Sequence, residues 1–507
     1  MEICEVAFLS LLLCCSLVLV LRRKRRLLPP GPPAFPIVGN LLWLTRPVSD
    51  IEFVHRGLRD KYGPIVTLHV GSSPTVMVSG REIAHKLLVK HGAVFANRPT
   101  PFAGIRFISR NQHNISAAGY GPLWRLLRRN LMLEILHPSR IKTYAHAREW
   151  VLSILLDKLR ARAGSGDGIV VVMESFQYSM FCLLVFMCFG EKLDKKAIGD
   201  IEKAQRDLLM FVGKLNVFAF MPKFAKYVFR GTWRKLLELR QRQREIYFPL
   251  IRARGEQMAA GRAPSENSFH FSYVDSLLDL ELPEENNRKL DEEEIIALCS
   301  EFLNAGTDTT STALQWIMAN VVKHQDLQER IVDEINGVLG EGDQEIREED
   351  LHKFTYLKAV VMEGLRRHPP SHFVLPHAVT EEFSMDGYVI PKDATINFAV
   401  ADINWDAKTW KEPMEFRPER FLPGGEGVDA DITGSREVKM MPFGAGRRIC
   451  PGIGLAMLHL EYFVANLVRA FEWKQVDGEE VDLTEKSVFT TVMKVPLRAR
   501  ITARRKI

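Results

Sequence analysis

Zinc-binding spacings are missing from this chain: it has no C-x-x-C pair and no H-E-x-x-H. Its seven cysteines are an odd number and do not indicate a disulfide framework. Cys4, Cys14 and Cys15 fall in the apolar amino terminus, and Cys182, Cys188 and Cys299 in apolar helical patterns, so Cys450 alone stands in a chemically shaped setting. No G-x-G-x-x-G follows a strand, which excludes a built-in flavin or nicotinamide site of that kind. Also missing is a basic stripe interleaved with aromatics. The net charge of +6 is concentrated in Arg22–Arg26 and in scattered clusters, so no nucleic-acid partner is expected. Internal repeats are absent, as are carboxy-terminal retrieval and lipidation motifs.

What is present is ordinary for a globular protein with a sizeable core: 46% hydrophobic and 26% charged residues. A length of 507 residues suggests three domains at about 150 residues each, yet no composition break divides the chain after its amino terminus. The expectation is a signal anchor with its basic flank over residues 1–26, a proline-rich hinge over 27–36, and one large domain over 37–507. The uncharged run Val6–Leu21 would make a helix of roughly 24 Å at ~1.5 Å per residue, slightly under the ~27 Å of an endoplasmic-reticulum bilayer. The charges RRKRR follow that run and no small-residue cleavage site appears, so it reads as a single-pass anchor with a lumenal amino terminus and the large domain cytosolic. A helix lying on the membrane surface is the competing reading. Leu27–Pro36 holds too many prolines for helix or strand and is expected to be a stiff, extended spacer.

Further on, Ile65–Val70 and Thr75–Ser79 read as a hairpin. Arg98–Gly121 reads as a long loop carrying Phe102 and Phe107. From Ala145 to Lys323 the periodicity is helical, broken at Gly164–Gly168 and Ala259–Ser268. Phe211–Phe229, rich in phenylalanine between basic residues, suits a lid, a membrane-touching surface or core. Asp291–His324 opens on four acidic residues, favourable at a helix amino terminus, and continues as a buried helix. Its middle, Ala305-Gly306-Thr307-Asp308-Thr309-Thr310, is a run of poor helix formers where a core helix is better served by Ala or Leu. Such a local misfit points to function: Gly306 leaves room, Thr309 can bond back to a carbonyl or forward to a ligand, and Asp308 can relay protons. Leu357–His368 is a helix stopped by Pro369 and Pro370, with Glu363 and Arg366 on one face. Phe373–Pro376, Ser384–Ile390 and Thr395–Val400 read as short strands with a turn at Asp386-Gly387, Pro423–Arg436 as a loop, and Phe489–Leu497 as strand-like.

Around Cys450 the stretch Met440–Leu455 is built to hold a thiolate. Gly444 and Gly446 permit a tight fold under the sulfur, Gly452 lets the backbone pass close to a flat cofactor, Pro451 stiffens the exit, and Phe443 offers a ring to cover the sulfur. Arg447 and Arg448 add fixed positive charge within reach of anionic groups. The spacing of Phe443, Gly446, Arg448, Cys450 and Gly452 fits F-x-x-G-x-R-x-C-x-G, and in this the chain resembles the cytochrome P-450 monooxygenases, whose haem-ligand signature this is. The Pro-Pro-Gly-Pro hinge, AGTDTT and FGAGRRICPG are similar to the plant A-type microsomal branch, and the closing SVFTTVMKVPLRARI resembles its family eighty-nine.

The resemblance implies a mainly α fold with some β, a helical prism with a small β-sheet. It also implies haem b held between the Thr309 helix on its distal side and Cys450, the axial ligand of its iron. Trp124 and Arg128 match the family's W-x-x-x-R pair, which holds a haem propionate, and His377 a position that often binds one. Ala305–Thr310 fits the oxygen-activating helix, with Thr309 and Asp308 as its catalytic pair. Arg420, in Phe416–Phe421, joins Glu363 and Arg366 in a triad that locks the scaffold of the cysteine loop. Phe102, Phe107, Phe302, Ala305, Phe373, Val374 and Phe489 are the pocket candidates, and their bulk implies a lipophilic or aromatic small molecule, as in secondary metabolism. Electrons are implied to come from NADPH through a separate reductase on the same endoplasmic-reticulum membrane. Arg125, Arg129, Lys439 and Arg447 are its expected docking face, with cytochrome b5 and membrane lipid as further partners. Two rivals remain open: a haem-thiolate isomerase or dehydratase of peroxides that needs no oxygen, and a membrane haem binder without catalysis.

Overall fold

The computed structural model of the chain describes residues 27–34, 39–40, 48–70, 73–164, 166–220, 225–260, 269, 271–340 and 346–504. The expected anchor, 1–26, and the end of the hinge, 35–36, lie outside the described residues. Helix α1 (Val48–Tyr62) leads into strands β1 (Ile65–Val70) and β2 (Ser73–Val78), and a short helix α2 (Ala103–Ile108) precedes α3 (Pro122–Glu134) and α4 (Ala145–Ala163). Strand β3 (Ile169–Val171) opens onto α5 (Val172–Phe189), followed by α6 (Lys195–Val212), α7 (Ala225–Val228), α8 (Arg230–Ala259) and α9 (Tyr273–Leu278). Next come α10 (Glu292–Lys323), α11 (Gln325–Leu339) and α12 (Thr355–Arg367). Short strands follow, β4 (His377–Ala378), β5 (Phe383–Met385), β6 (Tyr388–Ile390) and β7 (Thr395–Phe398), then α13 (Ile453–Ala470). The chain closes on β8 (Phe471–Lys474), β9 (Glu485–Ser487), β10 (Thr491–Met493) and β11 (Arg498–Ala503). The fold is mainly helical with small sheets, as the sequence leads one to expect.

Helix α10 is the spine. A capping box starts it: Glu294 N donates to Asp291 Oδ1 at 2.7 Å and Asp291 N to Glu294 Oε2 at 2.8 Å, which explains two of the four leading acids. Its apolar run from Ile295 to Val322 is buried against α5, α12 and α13. Helices α5 and α13 are long and apolar enough to cross a membrane, yet both sit in the core, α5 almost wholly buried. A second core lies between the cysteine loop and a four-stranded sheet ordered β1-β2-β7-β4. In that sheet β1 and β2 are antiparallel with Ile65 opposite Val78, and β2 runs parallel to β7.

Local differences from the sequence reading have physical causes. The loop expected over Arg98–Gly121 contains α2, because Phe102, Ile105, Phe107 and Ile108 turn onto a cluster with Phe211, Leu215 and Phe218. Gly104, which resembles a breaker, serves close contact instead: a Cβ there would meet Leu215 Cβ at 3.1 Å. Phe211–Phe229 divides between its readings, since Phe211 and Phe218 are core while Tyr227 and Val228 are 76% and 59% exposed. Phe373–Pro376 is not a strand; Phe373 alone makes a bridge, to Ala399. Ser384–Ile390 is a hairpin of β5 and β6, with Asp386 at φ 51° and Gly387 at φ 81°, the positive angles of a type I′ turn. Strand β7 stops at Phe398 because Val400 begins a turn of helix. Of Phe489–Leu497 only β10 is strand, and its pairing of Thr491 with Ser487 leaves Phe489 at a hairpin tip.

The described part of the hinge lies on the domain. Thr67 N donates to Pro30 O at 2.8 Å, Val389 N to Leu27 O at 2.6 Å, and Asn40 Nδ2 to Pro33 O at 3.0 Å. Gly31 passes so close to β1 that a Cβ would stand 1.9 Å from Thr67 O. Gly31→Ala should therefore push this segment off β1 and lower the stability read from a denaturant midpoint by about 1–3 kcal/mol. Gly57→Ala, where an added Cβ meets nothing within 4 Å, should leave it unchanged or raised.

Candidate active site

Cys450 ends a loop whose shape two glycines impose. Gly444 and Gly446 both have φ 72°, and a Cβ on Gly446 would lie 1.9 Å from Leu88 O, so the loop can sit this close to the helical segment that ends at Lys90 only with glycine there. Cys450 N donates to Phe443 O at 2.9 Å, closing the loop, and α13 starts three residues after the cysteine. Burial pushes the Cys450 thiol up, while the Gly452 N–H and the Arg128 guanidinium pull it down, with burial prevailing. A sulfur so placed becomes thiolate when a cation is set against it, as a metal ligand requires.

Beside this loop lies a concentration of positive charge. Arg448 stacks over Trp124 at 4.5 Å and donates to the carbonyls of Ala96, Ile115 and Ala118 at 2.7, 3.1 and 2.6 Å. Arg98 donates to Ser116 O at 2.7 Å and to Leu375 O and Pro376 O at 2.8 Å each. Arg128 donates to Ile449 O at 2.6 Å. Burial, then Arg98 and Arg128, hold Arg448 down at about 9, and burial holds Arg98 at about 10. Among the described residues no carboxylate forms an ion pair with any of the three, and Trp124 Nε1 is buried without a partner. His377 shares the neighbourhood, pushed down to about 3 by burial and then Arg98. Its neutral ring gives its N–H from Nδ1 to Phe95 O at 2.6 Å, leaving Nε2 as an acceptor that offers a carboxylate no hydrogen unless the ring is protonated.

On α10, Glu301, Ala305 and Thr309 recur every four residues and form one stripe. Glu301 turns that stripe toward the arginines, its carboxylate accepting from the N–H groups of Ile115 and Ser116 at 2.8 and 2.6 Å, next to the carbonyls that Arg448 and Arg98 hold. Ala305 is exposed and Thr309 half-buried, with Thr309 Oγ1 donating back to Ala305 O at 2.7 Å while the helix runs unbroken. Asp308 points elsewhere. Gln177 on α5 donates to it at 3.0 Å and Arg206 on α6 lies 3.7 Å away, and burial raises its carboxyl against the pull of both. The room at Gly306 is used by α5: a Cβ there would stand 2.6 Å from Leu184 Cδ1.

The expected triad comes together with no exposed member. Arg366 donates to both Glu363 oxygens at 2.6 and 2.9 Å, and Arg420 Nε to Oε1 at 3.3 Å. Arg366 also donates to Asn404 O at 3.1 Å, and Asn404 Oδ1 accepts from Met441 N at 2.9 Å, which ties the triad to the start of the cysteine loop.

Other expected positions separate. Val374 lies by the loop, its Cγ1 3.7 Å from a Cβ built on Gly444, but Phe373 faces the opposite side and packs on His55 at 5.7 Å. Phe302 is drawn into the core against Tyr273 at 5.2 Å. Phe102 and Phe107 line a different cavity, which touches neither Thr309 nor Cys450. Phe489 is 48% exposed at its hairpin tip, where Thr490 and Thr312 hydroxyls bond at 2.9 Å. Of the basic docking residues, Arg125 and Arg447 flank Tyr120 and are exposed like Arg129, but Lys439 is spent on Asp429 at 2.5 Å. Arg98 and Glu301 were missed. An arginine before a proline and an acid one turn ahead of Ala305 were the signals available.

With this geometry in hand, comparison with known proteins is decisive. The sequence profile of the cytochrome P-450 family matches residues 29–502. The chain belongs to the cytochrome P-450 family. It is 47% identical, over the full length of both chains, to cytochrome P-450 89A9 of Arabidopsis thaliana, which supports family 89. It is 31% identical to a flavonoid 3′-monooxygenase of Crocosmia x crocosmiiflora over 92% of this chain and 91% of that one. A solved zebra fish cytochrome P-450 with abiraterone covers 90% of this chain and 100% of its own at a TM-score of 0.72 and 22% identity, a likeness of fold. The enzyme is a cytochrome P-450 monooxygenase, and membership implies a cysteine-ligated haem, a redox partner reductase and a small-molecule substrate.

Glu363→Gln keeps the shape of the triad but leaves two buried guanidiniums short of an anion. Breaking a buried ion cluster from one side costs about 3–5 kcal/mol, so the urea midpoint and the haem content per chain of this P-450 should both fall.

Proposed function

We propose that Cys450 would hold the iron of haem b through its sulfur and that the enzyme inserts one oxygen atom from dioxygen into a lipophilic or aromatic small molecule, with electrons from NADPH through a separate membrane reductase. The observation that carries this reading is the charge imbalance beside the cysteine loop: among the described residues Arg98, Arg128 and Arg448 have no carboxylate in ion-pair contact, only Glu301 acts on Arg98 and Arg448 from further off, and Trp124 Nε1 has no acceptor. Two propionates on a flat ligand supply the missing anions. Trp124, Arg98, Arg128 and Arg448 would hold them, with His377 joining when protonated. The iron, once bound, supplies dioxygen reduction and oxygen insertion, and thiolate donation favours cleavage of the O–O bond.

The chain's own groups do the rest. The Cys450 loop shields the sulfur and fixes its direction through the Gly444 and Gly446 turns. Thr309 Oγ1 exchanges its bond to Ala305 O for one to a water in the pocket and so holds a proton donor there. Asp308 lies behind α10, its carboxyl raised by burial against the pull of Arg206 and Gln177, and beside the 51% exposed Arg206 it exchanges protons with solvent. Ala305, Val374 and Phe489 bound the substrate space. Arg125, Arg129 and Arg447 form the reductase-docking face, without Lys439. Residues 1–26 anchor the enzyme in the endoplasmic-reticulum membrane with its catalytic domain cytosolic, where lipid and cytochrome b5 are further partners.

For the ligand assignment, reduced enzyme treated with carbon monoxide should give the red-shifted Soret band of thiolate ligation, and Cys450→His should lose it. A His variant that kept the band would overturn Cys450 as ligand. For the reaction, Thr309→Ala reconstituted with reductase and NADPH should consume NADPH as before but shift its output from product to hydrogen peroxide. Reduction should also slow as salt rises, by screening of the docking face. Unchanged product per NADPH in Thr309→Ala would show that oxygen activation does not depend on this hydroxyl, and product formed without NADPH would favour the isomerase reading instead.

A further inference from the structure

A second cavity lies away from the cysteine loop, between α2, α7 with the first turn of α8, and the start of α10. Its volume is about 760 Å³, within the usual range for small-molecule sites. The lining reaches α10 at Glu294, and Thr309 is 15 residues further along that helix, roughly 22 Å at ~1.5 Å per residue. A drug-sized molecule held here does not reach Thr309.

We propose that this cavity binds an aromatic anion, as an outer ligand site separate from the substrate space. The aromatic part of the assignment comes from its walls. Phe107 packs on Trp233 with ring centroids 5.5 Å apart, Phe102 lies beside them in the same apolar cluster, and Tyr227 at the rim is 76% exposed. The anionic part comes from a count of charges. Glu294 gives both oxygens to Arg288 at 2.8 Å, Asp291 takes Arg110 at 3.4 Å, and Glu285 takes His113 at 3.0 Å. That leaves Arg106 and Lys226, neither in an ion pair with a carboxylate among the described residues, and Lys226 Nζ sits 4.3 Å from the centre of the Trp233 ring. A ring held against the Phe102 and Phe107 side of the cavity with a carboxylate or sulfonate at its edge has Arg106 and Lys226 in the same lining to offset its charge, and a neutral aromatic meets only the walls. The assignment uses no residue of the haem site and stands whether or not the catalytic reading does.

The test uses the full-length haem-loaded enzyme with its iron saturated by an azole, so that the catalytic space is filled. Anilinonaphthalene sulfonate should still bind, one per chain by equilibrium dialysis, and more tightly than its uncharged counterpart phenylnaphthylamine. Arg106→Glu and Lys226→Glu should each raise its Kd about tenfold, with Soret spectrum and denaturant midpoint unchanged. Trp233→Ala should weaken both probes. Displacement of the sulfonate by the azole, equal affinity for the uncharged probe, or wild-type affinity in both charge-reversed variants would overturn the proposal. Arg106 is exposed, so its variant stays informative if Trp233→Ala fails to fold.

Discussion

The buried cluster around Glu363 is the interaction on which the active-site scaffold depends. One carboxylate accepts from Arg366 twice, from Arg420, and from the backbone N–H of Arg417 at 2.8 Å. Glu426 supplies a second anion to Arg420, so two carboxylates balance two guanidiniums. Ionic groups taken out of water gain little net stability, and a well-packed apolar set often serves as well. What the cluster supplies is register. It joins α12 to the segment from Glu412 to Phe421 and, through Asn404, to Met441 at the head of the cysteine loop. A loop with two glycines at positive φ needs such an external brace, because its own backbone has few hydrogen bonds to hold it.

A second brace connects α10 with the arginines. Glu301 holds the N–H groups of Ile115 and Ser116, and the same short loop gives its carbonyls to Arg448 and Arg98. Burial raises the Glu301 carboxyl, while the Ser116 and Ile115 bonds and Arg98 lower it. Two donors at 2.6 and 2.8 Å, one to each oxygen, favour the carboxylate form, since a protonated oxygen loses acceptor capacity toward the loop. The position of α10 and that of Arg98 and Arg448 are thus set by one set of contacts.

What the sequence disclosed was local, and what it concealed was direction. The cysteine loop, the Glu363–Arg366 pair and the start of α10 each fit within a few residues, where spacing and backbone chemistry specify the geometry. Phe373 and Val374 are adjacent and face opposite ways, and Phe302 precedes the Ala305–Thr309 stripe but belongs to the core. Those outcomes depend on Tyr273, His55 and Gly444, all distant in sequence. Lys439 read as free positive charge because Asp429, ten residues earlier, lies across a loop whose fold composition does not reveal. Gly306 read as leaving room beside the helix, and it is a site where another side chain, Leu184, comes close, as Leu215 does at Gly104.

The contacts that α6 and α8 make with α10 and those they make with α2 differ in what it costs to part them. Between α6, α8 and α10 the link is polar and closed: Gln205 Oε1 accepts from Tyr247 at 2.6 Å and Gln243 at 2.8 Å, and Gln205 Nε2 donates to Ser300 O at 2.8 Å. Lifting α6 and α8 without water entering leaves several buried polar groups unpaired, at about 1–3 kcal/mol each. Helix α2, in contrast, is six residues long and meets α6 and α8 mainly through apolar side chains. Apolar contacts slide without orphaning a donor, and a short helix carries few backbone bonds that a shift must break. Of these contacts, those of α2 therefore part at least cost.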